Sequence, residues 1–435
     1  IVEFKSWNFP NIDQSNEWEN YESSVGLSLE TFGGGAGRAW NGCTSLTGFT
    51  NGLHLGSPTG LIYTFHNCSS LSGIPDLTSR GGSLSQVKSY KNSFAGCEKI
   101  TDFGCALDVS SAIDTQKMFF GCADLTECPE FVGTTSKSER MHGMFEGCEL
   151  ISGSIPRRGS THIDTSSALY LDSMFWGCTK VQDIGDIDCS SVSSSYLGLK
   201  NFAYNARDLT GLNLHSTASV PILEYAFYQN EELVNLATGG AALDFREVTS
   251  ATSFMANTLK YDASTISMTF EKCSNFYQSW AYIGNGSSAY AFVWPSMDYG
   301  TGQNGVKTFL QAWVGSNMTS FSSPDNNSFN TTGNLNYLGF GDFYGAWQNS
   351  DLLDGFPANV FDGCAVTGFG YAFYGCALSA LSIQNILTSL DTAGESNGEL
   401  DLNAGTSAAL SSWTSPATTA LSNLSGKGWT VSYNS

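Results

Sequence analysis

The feature that most constrains this chain is a short motif that recurs along it. The motif is aromatic-x-x-Cys-x-x-aliphatic, as in "TFHNCSSLSGI", "SFAGCEKITDF" and "MFWGCTKVQDI". The cysteines of its first six copies are separated by 25, 29, 25, 26 and 30 residues. A period in the twenties indicates a solenoid, because each repeat can bury its apolar side only by stacking on its neighbours.

The cysteine position tolerates other small residues in later copies, which hold Ala206, Asn230, Ser316 and Ser350. Neither a nucleophile nor a zinc ligand could vary in this way. Free cysteine behaves as a small buried hydrophobe, and Asn or Ser could satisfy a backbone group at a turn. We therefore predict a structural ladder in the core, formed by Cys43, Cys68, Cys97, Cys122, Cys148, Cys178, Cys273, Cys364 and Cys376.

Disulfides between rungs are compatible with the spacing, because neighbouring strands lie about 4.8 Å apart. The substituted copies leave no regular pairs of cysteines, so free thiols are favoured. Cys128 takes a position held by Phe or Ile in other copies and is expected in the core. Cys105 and Cys189 lie off the ladder, and the sequence leaves open whether they are exposed or paired.

The predicted fold is a leucine-rich-repeat solenoid of the α/β class, with short parallel strands stacked through turns or short helices. In each copy, pairs such as Leu71 and Ile74 would point inward, and the two residues between them would be wholly or partly exposed. We expect an N-terminal cap over 1–38, repeats over 39–377, and a C-terminal cap over 378–435. The cap pattern is helix, strand "ELDL", helix and strand "WTV", with glycines as helix stops.

The repeats resemble the BspA-type leucine-rich repeat of bacterial surface proteins. The copies with "AW-x-x-C/S" are similar to those of marine bacterial and phage proteins, and the resemblance covers about residues 39–377. Between Cys178 and Ser350 the cysteine is mostly lost and the spacing is irregular. The resemblance implies a location outside the cell, on a bacterial surface or on a virion.

Composition and motifs exclude several classes of protein. The net charge of −21 argues against nucleic-acid binding, and no apolar run reaches the length needed for membrane insertion. No catalytic or cofactor-binding motif occurs, and the histidines show no metal-ligand spacing, so we expect no enzyme, no cofactor and no metal. Asp183, Asp186 and Asp188 could bind calcium, but a solvated acidic strand edge is the favoured interpretation.

An aromatic insertion near 276–290 interrupts the rhythm of the repeats. Exposed aromatic side chains bind sugar rings and partner surfaces, although the segment "AYAFVWPSMD" also reads as a strand with core aromatics. Residues between the strand anchors would supply further contacts. The candidate ligand-binding residues are Trp280, Tyr282, Tyr290, Thr101, Asp102, Gln182, Asp183 and Asn235.

The favoured functional hypothesis is a recognition or adhesion protein. It would bind a cell-surface protein or glycan through the solenoid face, as an adhesin or a phage tail-fibre receptor-binding protein does. One alternative is a structural subunit of an extracellular filament or a virion decoration, which would form a homo-oligomer. A lesser alternative is a glycan depolymerase, because distant carboxylate pairs leave no sequence motif.

Overall fold

The computed structural model describes most of the repeat region and the whole C-terminal region. The backbone alone is described for 290–293, 296–297 and 322. The cap expected over 1–38 lies outside the described residues. The described residues are 39–49, 53, 55, 57–78, 82–155, 163–193, 195–237, 242–261, 268–284, 290–293, 296–297, 308–322 and 343–435.

The chain divides into two compact units, Ile1–His215 and Ser216–Ser435. In the first unit the strands are β1 Gly73–Ile74, β2 Asp102–Phe103, β3 Leu107–Asp108, β4 Phe131–Val132, β5 Gly153–Ser154, β6 Val181–Asp188 and β7 Gly211–His215. In the second unit they are β8 Leu243–Asp244, β9 Met268–Phe270, β10 Tyr290–Val293, β11 Ser296–Met297, β12 Met318–Ser322, β13 Gly368–Phe369, β14 Glu399–Leu402 and β15 Thr430–Tyr433.

Every strand pair described in the first unit is parallel and joins one turn of the chain to the next. Strand β1 pairs with β2, β3 pairs with β4, and β5, β6 and β7 form one sheet. In addition to these paired strands, single parallel β-bridges connect successive turns in a row that we call the bridge column. It runs through Gly60, Ser89, Asp114, Arg140 and Tyr170. This arrangement confirms the predicted solenoid of short parallel strands.

The second unit is built in the same way. Its bridge column runs from Ile222 through Ser250 and Asn275 to Thr308. Strands β8, β9 and β11 form one parallel sheet, and β10 pairs with β12. The second unit is therefore also a parallel repeat solenoid.

The aromatic-x-x-Cys segment is a pair of turns, one of the two forms that the sequence left open. In most copies described on both sides of the aromatic residue, the residues two before and two after it take the left-handed conformation. Around Phe94 these are Asn92, with φ of 52°, and Gly96, with φ of 74°. Asn and Gly accept this conformation at the lowest cost, which explains their frequency in the motif.

The aromatic residues of the motif stack along the core of the first unit. Centroid distances between successive rings are 5.1 to 5.8 Å, and interplanar angles are 4 to 18°. The stacked side chains are Trp40, Phe65, Phe94, Phe119, Phe145 and Phe175. One residue from each turn therefore builds a continuous column, so no turn has a complete core without its neighbours.

The second unit carries two such columns side by side. In one, Trp280, Trp313, Trp347 and Phe373 stack at 5.7, 5.0 and 4.8 Å. In the other, successive rings stack at 5.5, 5.0 and 4.9 Å. The members of that second column are Phe276, Phe309, Phe343 and Phe369.

The C-terminal region follows the expected order of helix, strand, helix and strand. Helix α1 spans Ala380–Ala393, and helix α2 spans Ser415–Gly426. Ser379 accepts a hydrogen bond from the Ser382 backbone N–H at the start of α1, and Gly394 ends that helix with φ of 84°. Short 3-10 helices lie at Thr217–Ser219 and Leu410–Ser412. Strands β13, β14 and β15 form one parallel sheet, so this region adds two strands to the array.

Candidate functional site

The cysteine ladder is a column of hydrogen bonds between turns. The Cys97 thiol donates to the Phe65 carbonyl oxygen of the preceding turn at 3.0 Å. The Phe94 carbonyl oxygen accepts the Cys97 N–H at 3.1 Å and the Cys122 thiol at 3.2 Å. A carbonyl oxygen has two lone pairs, so the thiol of the next turn fills the acceptor site that the backbone N–H leaves open.

The donor role of the thiol explains why serine can replace cysteine. The Ser316 hydroxyl donates to the Trp280 carbonyl at 2.9 Å, and the Ser350 hydroxyl donates to the Trp313 carbonyl at 3.1 Å. The Cys376 thiol then donates to the Trp347 carbonyl at 3.1 Å. The same contact in the first unit is made by Cys68, Cys97, Cys122, Cys148 and Cys178.

All twelve cysteines are free thiols in the structure. Cys128 and Cys189 are buried, and Cys105 is half-buried with its sulfur 3.4 Å from the Leu77 backbone nitrogen. Burial raises the pKa of the Cys128 thiol to about 12 and that of Cys178 higher still. Protonated, buried thiols of this kind serve as core residues rather than as nucleophiles.

Two cysteines assigned to the ladder do not belong to it. In the turn after Cys273 the ladder position is taken by Ile283, whose N–H donates to the Trp280 carbonyl at 3.3 Å. Cys273 instead follows β9, and its thiol lies 3.5 Å from the Asn275 carbonyl oxygen. The assignment fails because an aromatic residue three positions before a small one also occurs at another corner, as in Phe245 and Val248.

Cys364 is the second correction. Trp347 stacks directly on Phe373 at 4.8 Å, and the Cys376 thiol reaches the Trp347 carbonyl. No turn therefore lies between Ser350 and Cys376 on the ladder. Cys364 is buried within that same turn, so the shortened spacing in the sequence does not mark an extra rung.

The aromatic residues predicted to contact a ligand differ in their exposure. Trp280 is only 2% exposed and stacks on Trp313, so its predicted role as a surface contact is wrong. Tyr282 is 42% exposed, and its ring lies over Gly315. Tyr290 begins strand β10, and its side chain lies outside the described residues.

The predicted contact residues near the strands do not converge on one site. Thr101 and Asp102 are exposed, and Gln182 and Asp183 are exposed three turns further along the first unit. The Thr101 hydroxyl donates to the Ser72 carbonyl at 3.2 Å. The Asp183 carboxylate accepts the Gly185 N–H at 2.8 Å. Asn235 is half-buried in the second unit.

A groove in the first unit, which we call the bridge groove, was not anticipated from the sequence. It has a volume of about 660 Å³ and crosses four successive turns at the bridge column. Its lining residues are Thr59, Gly60, Ile62, Tyr63, Lys88, Ser89, Lys91, Ile113, Asp114, Gln116 and Arg140. Because they come from separate turns, no contiguous motif announces them. The available signal was a concentration of Lys and Arg between 88 and 140 in an acidic chain.

Cations without a direct partner dominate the bridge groove. No carboxylate of the described residues lies within ion-pair distance of Lys88, Lys91 or Arg140. Elsewhere in the same unit, Lys99 lies 2.9 Å from Asp124 and Lys180 lies 3.3 Å from Asp208. Lys117 instead lies over the Phe120 ring, and Lys137 donates to the Ser110 carbonyl oxygen. Among the described residues of the second unit, the cations that form ion pairs are Arg246, Lys260, Lys272 and Lys427.

Asp114 lies among these cations, half-buried in the bridge column. Burial raises the pKa of its carboxyl, while Lys91 and Arg140 act in the opposite direction. One carboxylate oxygen accepts the Gln116 N–H at 3.1 Å. The carboxylate retains further lone pairs with which to accept a donor from a ligand.

His142 is half-buried beside the cations of the bridge groove. Burial and the nearby Lys117, Lys91 and Arg140 lower the pKa of its imidazole to about 4. The ring lies 5.5 Å from that of Tyr170, and its buried Nδ1 has no hydrogen-bond partner. The imidazole is thus neutral near pH 7, and the positive charge of this region comes from lysine and arginine.

The backbone at the floor of the bridge groove is already hydrogen-bonded. The Leu61 N–H donates to Ser89, the Tyr90 N–H to Asp114, and the Thr115 N–H to Arg140, all at carbonyl oxygens between 2.8 and 2.9 Å. A ligand would therefore be recognised by side chains. Apolar contact is available from Ile62, Tyr63 and Ile113, of which Ile113 is 44% exposed.

Among the described residues, neither α-helix combines the length and the apolar character that crossing a bilayer requires. Within the same ranges, no group of three His, Cys, Asp or Glu side chains is arranged to hold a metal ion. Around the acidic strand β6, Asp186 accepts a hydrogen bond from the Asn213 amide at 2.8 Å.

These features define a solenoid repeat protein with a cationic surface groove. A family model described as "Mycoplasma protein of unknown function, DUF285" matches residues 88–211 and 133–233, together about a third of the chain. The match includes most of the bridge groove and fits a BspA-like repeat protein loosely. No curated protein and no solved structure matches the chain.

Proposed function

We propose that this chain is a recognition protein that binds a cell-surface protein or glycan through the bridge groove. The observation that carries the proposal is the grouping of Lys88, Lys91 and Arg140 without ion-pair partners. The chain has 40 acidic residues against 19 basic ones, so acidic partners for these cations were abundant in its composition. The three grouped cations repel one another, and Asp114, the carboxylate among them, offsets only part of their charge. A ligand that supplies the counter-charge accounts for the arrangement.

The shape of the site also suits recognition. The bridge groove is open at the surface and spans four turns, so an elongated ligand could contact several repeats at once. Its floor is fixed by hydrogen bonds between turns, so the side chains are held on a rigid base. The backbone therefore needs little ordering on binding, and the entropic cost falls on the lysine and arginine side chains.

The finer assignment rests on the repeat motif. The resemblance to BspA-type repeats, with which the partial family match is compatible, supports a surface protein of the adhesin or phage tail-fibre kind. Such a protein would act outside the cell, at a bacterial or virion surface. Tyr282, exposed over Gly315, is a second contact candidate in the second unit.

The test is a screen of the purified protein against whole cells and immobilised glycans. The double variant Lys91→Gln, Arg140→Gln should lose binding, because both cations leave the bridge groove. Lys180→Gln is the matched control, since Lys180 is an exposed cation of the same unit that pairs with Asp208. Binding that is equal in all three proteins would refute the groove as the recognition site. Ordered self-assembly without binding would favour the filament or virion-decoration alternative.

A further inference from the structure

We infer that the ligand of the bridge groove is an acidic oligosaccharide that carries at least two carboxylate or sulfate groups. This inference rests on the proposed recognition function and names the class of ligand. Four features of the groove support it: the positions of the cations, the carboxylate between them, the apolar side chains of the walls, and the backbone hydrogen bonds already formed at the floor.

The spacing of the cations suits a ligand with more than one anionic group. Lys88 and Lys91 flank Ser89, whereas Arg140 lies two rungs further along the bridge column, past Asp114. Two rungs correspond to about 10 Å along the solenoid. A chain with repeated acidic groups can place a separate group at each end of this interval, so that each cation gains its own partner.

The carboxylate of Asp114 favours an acidic sugar over other polyanions as the ligand. A uniformly anionic ligand would be repelled by a carboxylate placed midway between its contacts. A sugar chain offers hydroxyl donors between its acidic groups, and an ionised carboxylate accepts such donors strongly. Asp114 thus matches the alternation of acidic and hydroxyl groups along a carbohydrate.

The walls and floor favour a carbohydrate over a peptide strand. Tyr63, Ile62 and Ile113 present apolar surface, on which the non-polar face of a sugar ring can pack. A peptide that binds as an added strand needs unpaired backbone N–H and C=O groups. The backbone groups of the bridge column are already hydrogen-bonded between turns, so they do not offer such an edge. The overall charge of −21 also disfavours a nucleic acid.

The experiment measures binding of four sugar probes and one peptide probe by isothermal titration calorimetry at low and at physiological salt. The sugar probes are an oligogalacturonate, a sulfated dextran oligosaccharide, a neutral dextran oligosaccharide of matched length, and galacturonic acid as the monosaccharide. A poly-glutamate peptide serves as the acidic polypeptide. The first two probes separate carboxylate from sulfate as the preferred acidic group.

We expect at least one acidic oligosaccharide to bind, with affinity that falls as salt screens the charges. Lys91→Gln and Arg140→Gln should each weaken binding about tenfold, as expected for the loss of a charge-assisted hydrogen bond. Lys180→Gln should leave the affinity unchanged. Asp114→Asn should weaken an oligosaccharide and should strengthen poly-glutamate. Thermal unfolding of each variant establishes that it is folded.

A second readout does not depend on the heat of binding. An anion in the bridge groove offsets the charge of Lys91 and Arg140, which lower the pKa of the nearby His142. The pKa of His142, measured by NMR titration, should therefore rise when the oligosaccharide binds. Binding elsewhere on the protein would leave that titration unchanged and would overturn the inference.

The outcomes separate the inference from the proposed function. Groove-dependent binding of a neutral glycan, of the monosaccharide at equal affinity, or of poly-glutamate would overturn the inference and leave recognition by the groove intact. If no probe, cell or glycan shows binding that depends on Lys91 and Arg140, both the inference and the proposed function are wrong.

Discussion

The thiol of Cys148 donates a hydrogen bond of 3.0 Å to the carbonyl oxygen of Phe119, one turn earlier in the solenoid. The same carbonyl accepts the backbone N–H of Cys122 at 3.1 Å. The cysteine side chain is therefore a donor inside the core, and its contact joins consecutive repeats. A serine hydroxyl makes the corresponding contact at Ser316 and Ser350.

Cys148→Ser should be tolerated, because the hydroxyl preserves the donor. We expect the free energy of unfolding to change by less than about 1 kcal/mol. Cys148→Ala removes the donor and should cost about 1 kcal/mol more, since the buried Phe119 carbonyl then loses a partner. Urea denaturation of the two variants measures the difference. Equal stabilities of the Ser and Ala variants would mean that side-chain volume, and not hydrogen bonding, decides this position.

Phe145→Ala should cost about 3–5 kcal/mol, as expected for the loss of a large buried aromatic side chain. The Phe145 ring stacks on Phe119 at 5.4 Å and on Phe175 at 5.8 Å, so its removal opens the column on both sides. Trp176→Ala is the control, because that neighbouring ring is 38% exposed and should cost far less. Chemical denaturation monitored by circular dichroism compares them, and similar losses would contradict the stacked-column account.

Gly315→Ala should be destabilising for two reasons. Its φ of +64° is unfavourable for alanine by about 1–2 kcal/mol, and a Cβ there would lie 2.5 Å from the Tyr282 ring. Gly153→Ala is the matched control, since its φ is +76° but nothing lies within 4 Å of its Cβ. Gly315→Ala should therefore lower the melting temperature more than Gly153→Ala does. Adding Tyr282→Ala should recover only the steric part, and full recovery would show that backbone strain is negligible.

His142 should titrate with a pKa of about 4, below the usual value near 6.5. The folded state favours the neutral imidazole, so above pH 6.5 the group contributes nothing to the pH dependence of stability. As pH falls from about 6.5 to about 4, the unfolded chain takes up the proton first and stability declines. NMR titration of the histidine ring signals measures the pKa. Lys117→Ala should raise it, and an unchanged value would exclude Lys117 as a cause.

The native thiols should react slowly with a thiol reagent at pH 8. A hydrogen bond with Cys68, together with burial, raises the pKa of Cys43, and burial raises the pKa of Cys105, so even the two half-buried thiols are largely protonated. All twelve should react once the chain is unfolded. The time course with Ellman's reagent tests this expectation. A thiol that reacts rapidly in the native protein would indicate an exposed thiolate.

The period of the motif was enough to predict the parallel solenoid, because only stacked repeats can bury one aromatic and one small residue per copy. It was not enough to place every copy. Cys273 and Cys364 satisfy the local spacing and still lie off the ladder, because another corner of a turn also packs an aromatic residue three positions before a small one. Local spacing does not identify the corner to which a motif belongs.

Exposure was the least predictable property. Trp280 and Tyr282 are two residues apart in a segment that reads as an aromatic insertion. One is the buried end of a tryptophan stack and the other covers a glycine at the surface. The difference depends on where Trp313 and Gly315 lie, one turn later.

The sequence by itself determined the repeat architecture, the small buried residue of each rung and the order of elements at the C-terminal end. These features depend on periodicity and on local conformational preference, which are properties of neighbouring residues. The tertiary structure alone decided which rung each motif occupies, which aromatic residues are exposed, and that Lys88, Lys91, Asp114 and Arg140 share one groove. Those residues are up to 52 positions apart in the chain, and only the register of successive parallel turns brings them together.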